Sequence, residues 1–311
     1  MADKKKIAGI LFPGQGAQYV GMGKALYEES TIGKAILDSA DEALGGGFLD
    51  TIFNGPAEEV TATNISQPAI YAVSYAAFKV FSEKFKGTIS TVAGLSLGEY
   101  SALTAAGSLP FTEGIKLVQM RGKLMQEAAE NNPGAMASVI GLEAEKIDTI
   151  CSGIDGAYVA NYNSPGQTVI SGESDAIAKA SSECSEAGAR RVIPLKVSGA
   201  FHTSLMESAR KGLQPLLKAI DWKEPVYTVL SNVTGMPYSS ASEMPELLGK
   251  QVVGSVRWEE NCRWILFQGV ENYYETGPGK VLQGLMKKIE RAASVVSVET
   301  PEEIEAVINA G

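Results

Sequence analysis

A serine between two glycines is the first candidate for chemistry in this chain. Gly94-Leu95-Ser96-Leu97-Gly98 has the pattern G-x-S-x-G and lies between an apolar strand-like run, residues 89–93, and a helical run, residues 99–106. In that context the pattern predicts a nucleophile elbow, a sharp turn with Ser96 at its tip, in which glycine permits close backbone approach. The helix that follows would direct its free N–H groups at a reacting carbonyl. A glycine-flanked turn whose serine only caps the helix is the alternative interpretation.

A serine hydroxyl needs a general base, and the sequence offers one imidazole. His202 is the only histidine of the 311 residues, and it lies between a strand-like run ending at Leu195 and a helical run beginning near Ser204. Imidazole is largely unprotonated near neutral pH, so a nucleophile followed by this base favours acyl chemistry at Ser96. A loop histidine that caps the next helix is the alternative. No acidic residue stands out by composition or spacing as the third member of a triad.

Arg121 is a third candidate, because it lies in the middle of an apolar helical stripe. The predicted helix runs from 113 to about 129, and the apolar residues within about 60° of Arg121 on a helical wheel are Leu117, Val118, Leu124, Met125 and Ala128. A guanidinium stays protonated, so a partly buried one needs an anion. That anion is either a substrate carboxylate, held by two parallel hydrogen bonds, or an internal Asp or Glu.

The elements that position these side chains alternate between strands and helices. The first strand leads into a glycine loop, residues 13–18, which lacks the signatures of nucleotide loops and is interpreted as part of an oxyanion hole. Gln67-Pro68 predicts a break in a mainly helical region, residues 23–85. From 134 to 195 the order βαββαβ matches a ferredoxin-like unit, with strands predicted at residues 135–142, 157–161, 167–171 and 191–195 and helices at 144–151 and 175–187. A further strand is predicted beyond His202, at residues 226–230.

The sequence therefore predicts an α/β fold of two domains. We expect an α/β-hydrolase-like large catalytic domain with a parallel sheet, formed by residues 1–132 and 197–311. A small ferredoxin-like domain, residues 133–196, is inserted into it. A cleft between two domains is the expected place for a substrate.

Composition limits the classes of function. A net charge of −9 argues against binding to nucleic acid, which draws on basic surface. Cys151, Cys184 and Cys262 lack the spacing of a zinc site or a disulfide framework and are expected to be free buried thiols. The apolar run at residues 7–12 is too short for a signal-peptide core or a membrane span. We expect a cytoplasmic protein, with no bound metal and no membrane association.

Seven segments, spread in order over nearly the whole chain, resemble the malonyl-CoA:acyl carrier protein transacylases of fatty acid synthesis. They are residues 12–16 (FPGQG), 67–69 (QPA), 94–103 (GLSLGEYSAL), 119–122 (QMRG), 161–167 (NYNSPGQ), 201–206 (FHTSLM) and 275–280 (ETGPGK). Each segment alone is unspecific, and together they are highly specific.

The resemblance implies a role for each matching residue. Ser96 would be the acylated nucleophile and His202 its base. Arg121 would pair with the malonyl carboxylate, and the backbone N–H groups of Gln15 and Leu97 would form the oxyanion hole.

The resemblance also accounts for the missing acid. In the family a backbone carbonyl near the residue that matches Gln251 steadies the imidazole. One position departs from the pattern, because members of the family usually have histidine where this chain has Leu95.

The implied reaction transfers the malonyl group of malonyl-CoA to the phosphopantetheine thiol of an acyl carrier protein through a malonyl-serine intermediate. No cofactor is implied beyond the CoA thioester, and a monomer is expected. A serine thioesterase or esterase, an acyltransferase serving a polyketide carrier, and a binding module with an inert Ser96 are the alternatives. Lys287, Lys288 and Arg291 form a candidate basic patch for the acidic carrier, or else a solvated helix face.

Overall fold

The computed structural model describes residues 6–197 and 199–310. Apart from Lys6, the basic N-terminal segment lies outside the described residues. Within this range nine strands form two sheets. The strands are β1 (Ile7–Phe12), β2 (Thr88–Gly94), β3 (Ala135–Ile140), β4 (Ala157–Ser164), β5 (Gln167–Gly172), β6 (Arg191–Pro194), β7 (Thr228–Val229), β8 (Asn272–Thr276) and β9 (Val295–Val298).

Helices make up most of the remaining described chain. They are α1 (Lys24–Glu29), α2 (Thr31–Ala43), α3 (Phe48–Asn54), α4 (Ala57–Thr61), α5 (Thr63–Lys84), α6 (Gly98–Ala105), α7 (Phe111–Asn131), α8 (Ala144–Ser152), α9 (Ser174–Glu186), α10 (Glu207–Ala219), α11 (Met244–Val253), α12 (Trp258–Phe267), α13 (Val281–Ile289) and α14 (Pro301–Asn309). Short 3₁₀ turns at Ser204–Met206 and Ala241–Glu243 precede α10 and α11.

The larger sheet is parallel and has the strand order β7-β2-β1-β8-β9. Its central strand β1 is buried on both faces. Ile10 and Phe12 belong to the core that includes α2, α5 and α7, whereas Leu11 packs with α12 and α13 on the opposite face. A strand covered on both faces needs apolar residues at successive positions, which explains the continuous apolar run of β1.

The smaller sheet is antiparallel and has the order β4-β5-β3-β6. With α8 and α9 over it, this is the predicted ferredoxin-like arrangement, and it has its own apolar core. Backbone hydrogen bonds tie it to the larger sheet's part of the chain, from Tyr162 N to Val256 O at 2.9 Å and from Val256 N to Ala160 O at 2.8 Å.

The observed architecture is the predicted α/β one, with a parallel and an antiparallel sheet. The division into residues 1–132 with 197–311 and residues 133–196 stays a prediction. It is supported by the position of the antiparallel strands, which all fall between Ala135 and Pro194.

One local prediction was wrong, and one predicted strand is shorter than expected. Pro68 does not break the helical region but lies inside α5, where the missing N–H costs one helical hydrogen bond. The helix continues because its residues from Ser66 to Ser74 are buried against the surrounding elements. The strand predicted for residues 226–230 is reduced to Thr228–Val229 in the structure.

Two glycines explain how the chain turns from β2 into α6. A Cβ on Gly94 would lie 1.8 Å from the carbonyl carbon of Gly98, and one on Gly98 would lie 2.2 Å from the Phe12 carbonyl oxygen. Neither obstacle is a flexible side chain, so the turn and its contact with β1 require glycine at both positions.

Gly94→Ala or Gly98→Ala should therefore lower the free energy of unfolding by about 3 kcal/mol or more, because backbone must move to admit the methyl group. Denaturant unfolding measures this. Gly284→Ala, inside α13, is the matched control, because a methyl group added there would meet no atom within 4 Å. It should be neutral or stabilising by up to about 1 kcal/mol. Equal effects at all three positions would contradict the steric account.

Candidate active site

Ser96 lies at the tip of this turn in a strained backbone conformation. Its φ is 53°, in the left-handed region that residues with a side chain rarely adopt. Asn232 supports the turn, because its Oδ1 accepts a hydrogen bond from Ser96 N at 2.6 Å and its Nδ2 donates to the Gly94 carbonyl at 2.8 Å. The predicted sharp turn with Ser96 at its tip is present, and a side chain from beyond β7 holds it in place.

The structure brings His202 and Ser96 together. Ser96 Oγ lies 2.9 Å from His202 Nε2, and His202 Nδ1 lies 2.8 Å from the backbone oxygen of Gln251. A carbonyl oxygen can only accept, so Nδ1 carries the proton and Nε2 has a free lone pair for the serine hydroxyl. The carbonyl of Gln251 thus orients the imidazole in the way that a triad acid does elsewhere.

Backbone strain is common to Ser96 and His202. His202 has a φ of 62°, and a left-handed conformation costs on the order of 1 to 3 kcal/mol at a residue with a side chain. Surrounding contacts enforce it at Ser96, where Gly94 approaches Gly98 closely and Asn232 bonds to the N–H of the serine and to the carbonyl of Gly94. Rigid elements of the larger sheet and its loops therefore set the position of the serine hydroxyl.

The environment of His202 favours the neutral imidazole. Burial, assisted by the nearby positive charge of Arg121, lowers the pKa of His202 to about 4. The hydrogen bond to Gln251 opposes this shift without cancelling it. A neutral imidazole at pH 7 is the form that can accept a proton from Ser96.

Arg121 is buried, with 1% of its surface exposed. Its Nη1 donates to Gln67 Oε1 at 2.6 Å, and its Nη2 donates to Gln251 Oε1 at 3.0 Å and to Ser96 Oγ at 3.2 Å. In the described part of the chain Nε has no acceptor. No carboxylate oxygen of the described residues lies within 4.0 Å of the guanidinium. The internal salt bridge considered from the sequence is therefore not formed among the described residues, and the guanidinium is hydrogen-bonded to neutral groups beside Ser96.

Glu99 and Asn232 lie beside the candidate site, and the sequence did not predict them there. Glu99 is fully buried and accepts hydrogen bonds from Gln251 Nε2 at 2.6 Å, from Asn232 N at 3.2 Å and from the Tyr238 hydroxyl. Burial raises the pKa of Glu99 to about 7. Asn232 could have been considered from the sequence, because it follows a predicted strand. The carboxyl ends of parallel strands meet at one edge of a sheet, which would place Asn232 near the turn that follows β2.

Gln15 and Leu97 lie on the two loops that meet at the elbow. A Cβ on Gly14, next to Gln15, would lie 2.4 Å from the carbonyl oxygen of Leu95, so the two loops are in direct contact. The backbone N–H groups of Gln15 and Leu97 have no hydrogen-bond acceptor among the described residues, whereas the N–H of Ser96 is occupied by Asn232. Their role in an oxyanion hole stays a prediction.

A cavity of about 530 Å³ reaches His202 from the side of the antiparallel sheet. On one side it is lined by the end of α11 and the residues after it, and on the other by α8 and β4, including Asp148, Tyr158 and Tyr162. A second pocket, of about 380 Å³, lies beside Gln15 and Lys196. The first cavity lies between the antiparallel part of the chain and the end of α11, where the sequence predicts a substrate cleft. The second is lined by α4, α5, α7 and the segment after β6.

A family model described as "Acyl transferase domain" matches residues 10–263. The chain belongs to the acyl transferase family. A malonyl CoA-acyl carrier protein transacylase of Bacillus subtilis (strain 168) is 43% identical over 307 residues, covering 97% of this acyl transferase and 96% of the relative.

Solved structures agree with this assignment. The acyl-carrier-protein-S-malonyltransferase of Bartonella henselae superimposes with a TM-score of 0.93 at 39% identity, over 97% of this chain and 98% of the other. A malonyl-transacylase solved in complex with its type II PKS acyl-carrier protein gives a TM-score of 0.94 at 38% identity, over 98% and 100% of the two chains.

Other predicted features of this acyl transferase can be located. Cys151, Cys184 and Cys262 are buried and free, as predicted. Lys287, Lys288 and Arg291 are exposed, with Lys288 donating to Gln167 of the antiparallel sheet, and their part in carrier docking stays a prediction. None of the helices in the described part of the chain combines the length and apolar character needed to cross a bilayer.

The protonation of His202 can be read directly, because it is the only histidine in the chain. We expect its ring resonances in an NMR titration to show the neutral, Nδ1-protonated tautomer from pH 8 down to about pH 5, because the pKa of His202 is lowered to about 4. Arg121→Ala should raise this pKa, since it removes a neighbouring positive charge. A midpoint near the ordinary histidine value in the parent would contradict the desolvated site.

Proposed function

We propose that this acyl transferase moves the malonyl group of malonyl-CoA to the phosphopantetheine thiol of an acyl carrier protein, through an ester on Ser96. One observation carries the proposal: Ser96 Oγ lies 2.9 Å from His202 Nε2 and 3.2 Å from the buried guanidinium of Arg121, which no carboxylate of the described residues contacts. The names of the similar transacylases support malonyl-CoA and acyl carrier protein as the two substrates.

In the first half-reaction, His202 Nε2 accepts the hydroxyl proton while Ser96 Oγ bonds to the thioester carbonyl carbon. The resulting tetrahedral intermediate collapses as the carbon–sulfur bond breaks. The imidazolium then gives its proton to the sulfur of the departing coenzyme A. Malonyl-serine and the neutral imidazole remain.

The free N–H groups of Gln15 and Leu97 are the donors we assign to the oxyanion. They come from two loops packed against each other beside the nucleophile, so they are fixed before the charge develops. The assignment is supported by the absence of any acceptor for either group among the described residues.

In the second half-reaction, His202 accepts the proton of the carrier's phosphopantetheine thiol, and the sulfur attacks the malonyl ester. The Ser96–acyl bond breaks, and Ser96 Oγ recovers its proton from the imidazolium. A thioester is consumed and a thioester is formed, so the balance needs no oxidant, reductant or metal ion.

Arg121 is the group we assign to the malonyl carboxylate. A carboxylate takes up the Nη2 donor that otherwise points at Ser96 Oγ, and two parallel hydrogen bonds then fix the malonyl chain with its thioester carbonyl at the nucleophile. A thioesterase or esterase acting on simple acyl groups would leave this buried charge without a partner, which favours the malonyl transferase.

Intact mass spectrometry tests the acyl-enzyme. After mixing with malonyl-CoA, the parent should gain the mass of one malonyl group, and Ser96→Ala should gain none. His202→Ala should form the adduct more slowly by a factor of roughly 10² to 10⁴, since the base is lost. An adduct of equal amount in Ser96→Ala would place the acyl group elsewhere and refute the proposal.

Arg121→Ala tests the choice of acyl group. Removing one partner of a shielded charge pair costs about 2 to 5 kcal/mol, so malonyl transfer should fall roughly 30-fold to several thousand-fold. Acetyl transfer, measured alongside, should stay level or improve, because an acetyl group has no carboxylate. Arg121→Lys should not restore the parent rate, since an ammonium lacks the planar fork. An equal loss for both acyl groups would make Arg121 a structural residue.

A further inference from the structure

The side-chain amide of Gln251 is held in one orientation by its neighbours. Its Nε2 donates to the Ser96 carbonyl at 2.9 Å and to Glu99 Oε2 at 2.6 Å, and its Oε1 accepts from Arg121 Nη2 at 3.0 Å. An amide turned by 180° would direct its oxygen at two acceptors and its N–H groups at a donor. The observed orientation is therefore the one in which Gln251 can hold the guanidinium.

Glu99 makes a short contact with this amide. It is fully buried at the start of α6, and its three partners, Gln251 Nε2, Asn232 N and the Tyr238 hydroxyl, all donate to it. Its hydrogen bonds do not reach Ser96 Oγ, His202 or Arg121. Any buried carboxylate needs donors, but one of these three is the amide that contacts Arg121, and this contact links Glu99 to the guanidinium.

We propose that Glu99 is a positioning residue for acyl-group selection, which holds the Gln251 amide so that Gln251 in turn fixes the Arg121 guanidinium beside Ser96. The inference rests on the proposed function, because it assigns Glu99 an effect only on acyl groups that carry a carboxylate. The proposed role depends on a Glu99 side chain long enough for its carboxyl oxygen to accept the hydrogen bond from Gln251 Nε2. Its charge is secondary, because an uncharged oxygen at the same place also accepts the amide hydrogen bond.

Two conservative variants separate the effect of the length of the Glu99 side chain from the effect of its charge. Glu99→Asp keeps the charge and withdraws the carboxylate by one methylene, whereas Glu99→Gln keeps the length and loses the charge. The quantity measured is the ratio of kcat/KM for malonyl-CoA to that for acetyl-CoA. We expect Glu99→Asp to lower the ratio about 10-fold, the size of a lost hydrogen bond to a charged or strongly polar group, and Glu99→Gln to keep it within about threefold.

Labelling of Ser96 by a fluorophosphonate reports the nucleophile and base without any carboxylate on the reagent. It should stay within about twofold of the parent in both variants. Glu275→Asp is the matched control, because Glu275 is also fully buried but accepts hydrogen bonds from the backbone N–H groups of Leu282 and Gln283, at 3.0 and 2.9 Å, and not from Gln251. It should leave the ratio unchanged even if it lowers stability.

Gln251→Leu tests whether Glu99 acts on Arg121 through the amide of Gln251. The substitution removes the amide and keeps the backbone carbonyl that orients His202. Gln251→Leu alone should lower the ratio, and adding Glu99→Asp should lower it no further. An unchanged ratio in Gln251→Leu overturns the inference even if Glu99→Asp does not fold. A Glu99→Gln variant impaired as much as Glu99→Asp, or a full additional loss in the double variant, also overturns it.

The outcomes distinguish this inference from the proposed function. A parent that does not prefer malonyl-CoA, or an Arg121→Ala variant that keeps the preference, refutes the proposed function and this inference with it. A parent whose preference depends on Arg121 but is unchanged in Glu99→Asp refutes the role of Glu99 alone.

Discussion

A buried positive charge held by neutral groups is the constraint on which the site depends. Removing a guanidinium from water is costly unless an anion or strong acceptors replace the solvent. Arg121 has two glutamine side chains and the Ser96 hydroxyl instead of an anion. These groups therefore offset only part of the free-energy cost of removing the guanidinium from water. A carboxylate that enters the site would offset the rest. The same charge helps to keep His202 neutral, so in the proposed function one side chain serves both the selection of the acyl group and the protonation state of the base.

The sequence predicted those site residues whose type and neighbouring residues in the chain indicate a chemical role. The glycine pattern around Ser96, the single histidine and the arginine within an apolar stripe each have a local physical signature, and the structure brings all three together. The predicted boundaries of the ferredoxin-like elements also differ little from the observed ones, because strand and helix periodicity is local. The prediction at Pro68 was wrong because the packing of α5 outweighs a local helix-breaking preference.

Glu99, Asn232 and the side chain of Gln251 had no comparable signature. Asn232 reaches Ser96 only because β7 pairs with β2, and Gln251 reaches it across 155 positions of sequence. An acid in the first turn of a helix is ordinarily explained by the helix dipole. The position of Glu99 in the sequence therefore gives no indication that its carboxylate is buried and binds an amide. Such contacts depend on which strands are neighbours in the sheet, and the strand order cannot be derived from the residues around each position.

The use of a carbonyl in place of an acid to orient His202 follows from the position of Arg121. A carboxylate at that point would raise the pKa of the imidazole, and it would also offer the guanidinium a permanent partner. The carbonyl of Gln251 orients the imidazole without adding a charge, and the side chain of the same residue lies between Glu99 and Arg121. The carboxylate of Glu99 is thereby bound to an amide instead of the guanidinium. Because no carboxylate of the described residues pairs with Arg121, its charge stays available to a substrate that carries one.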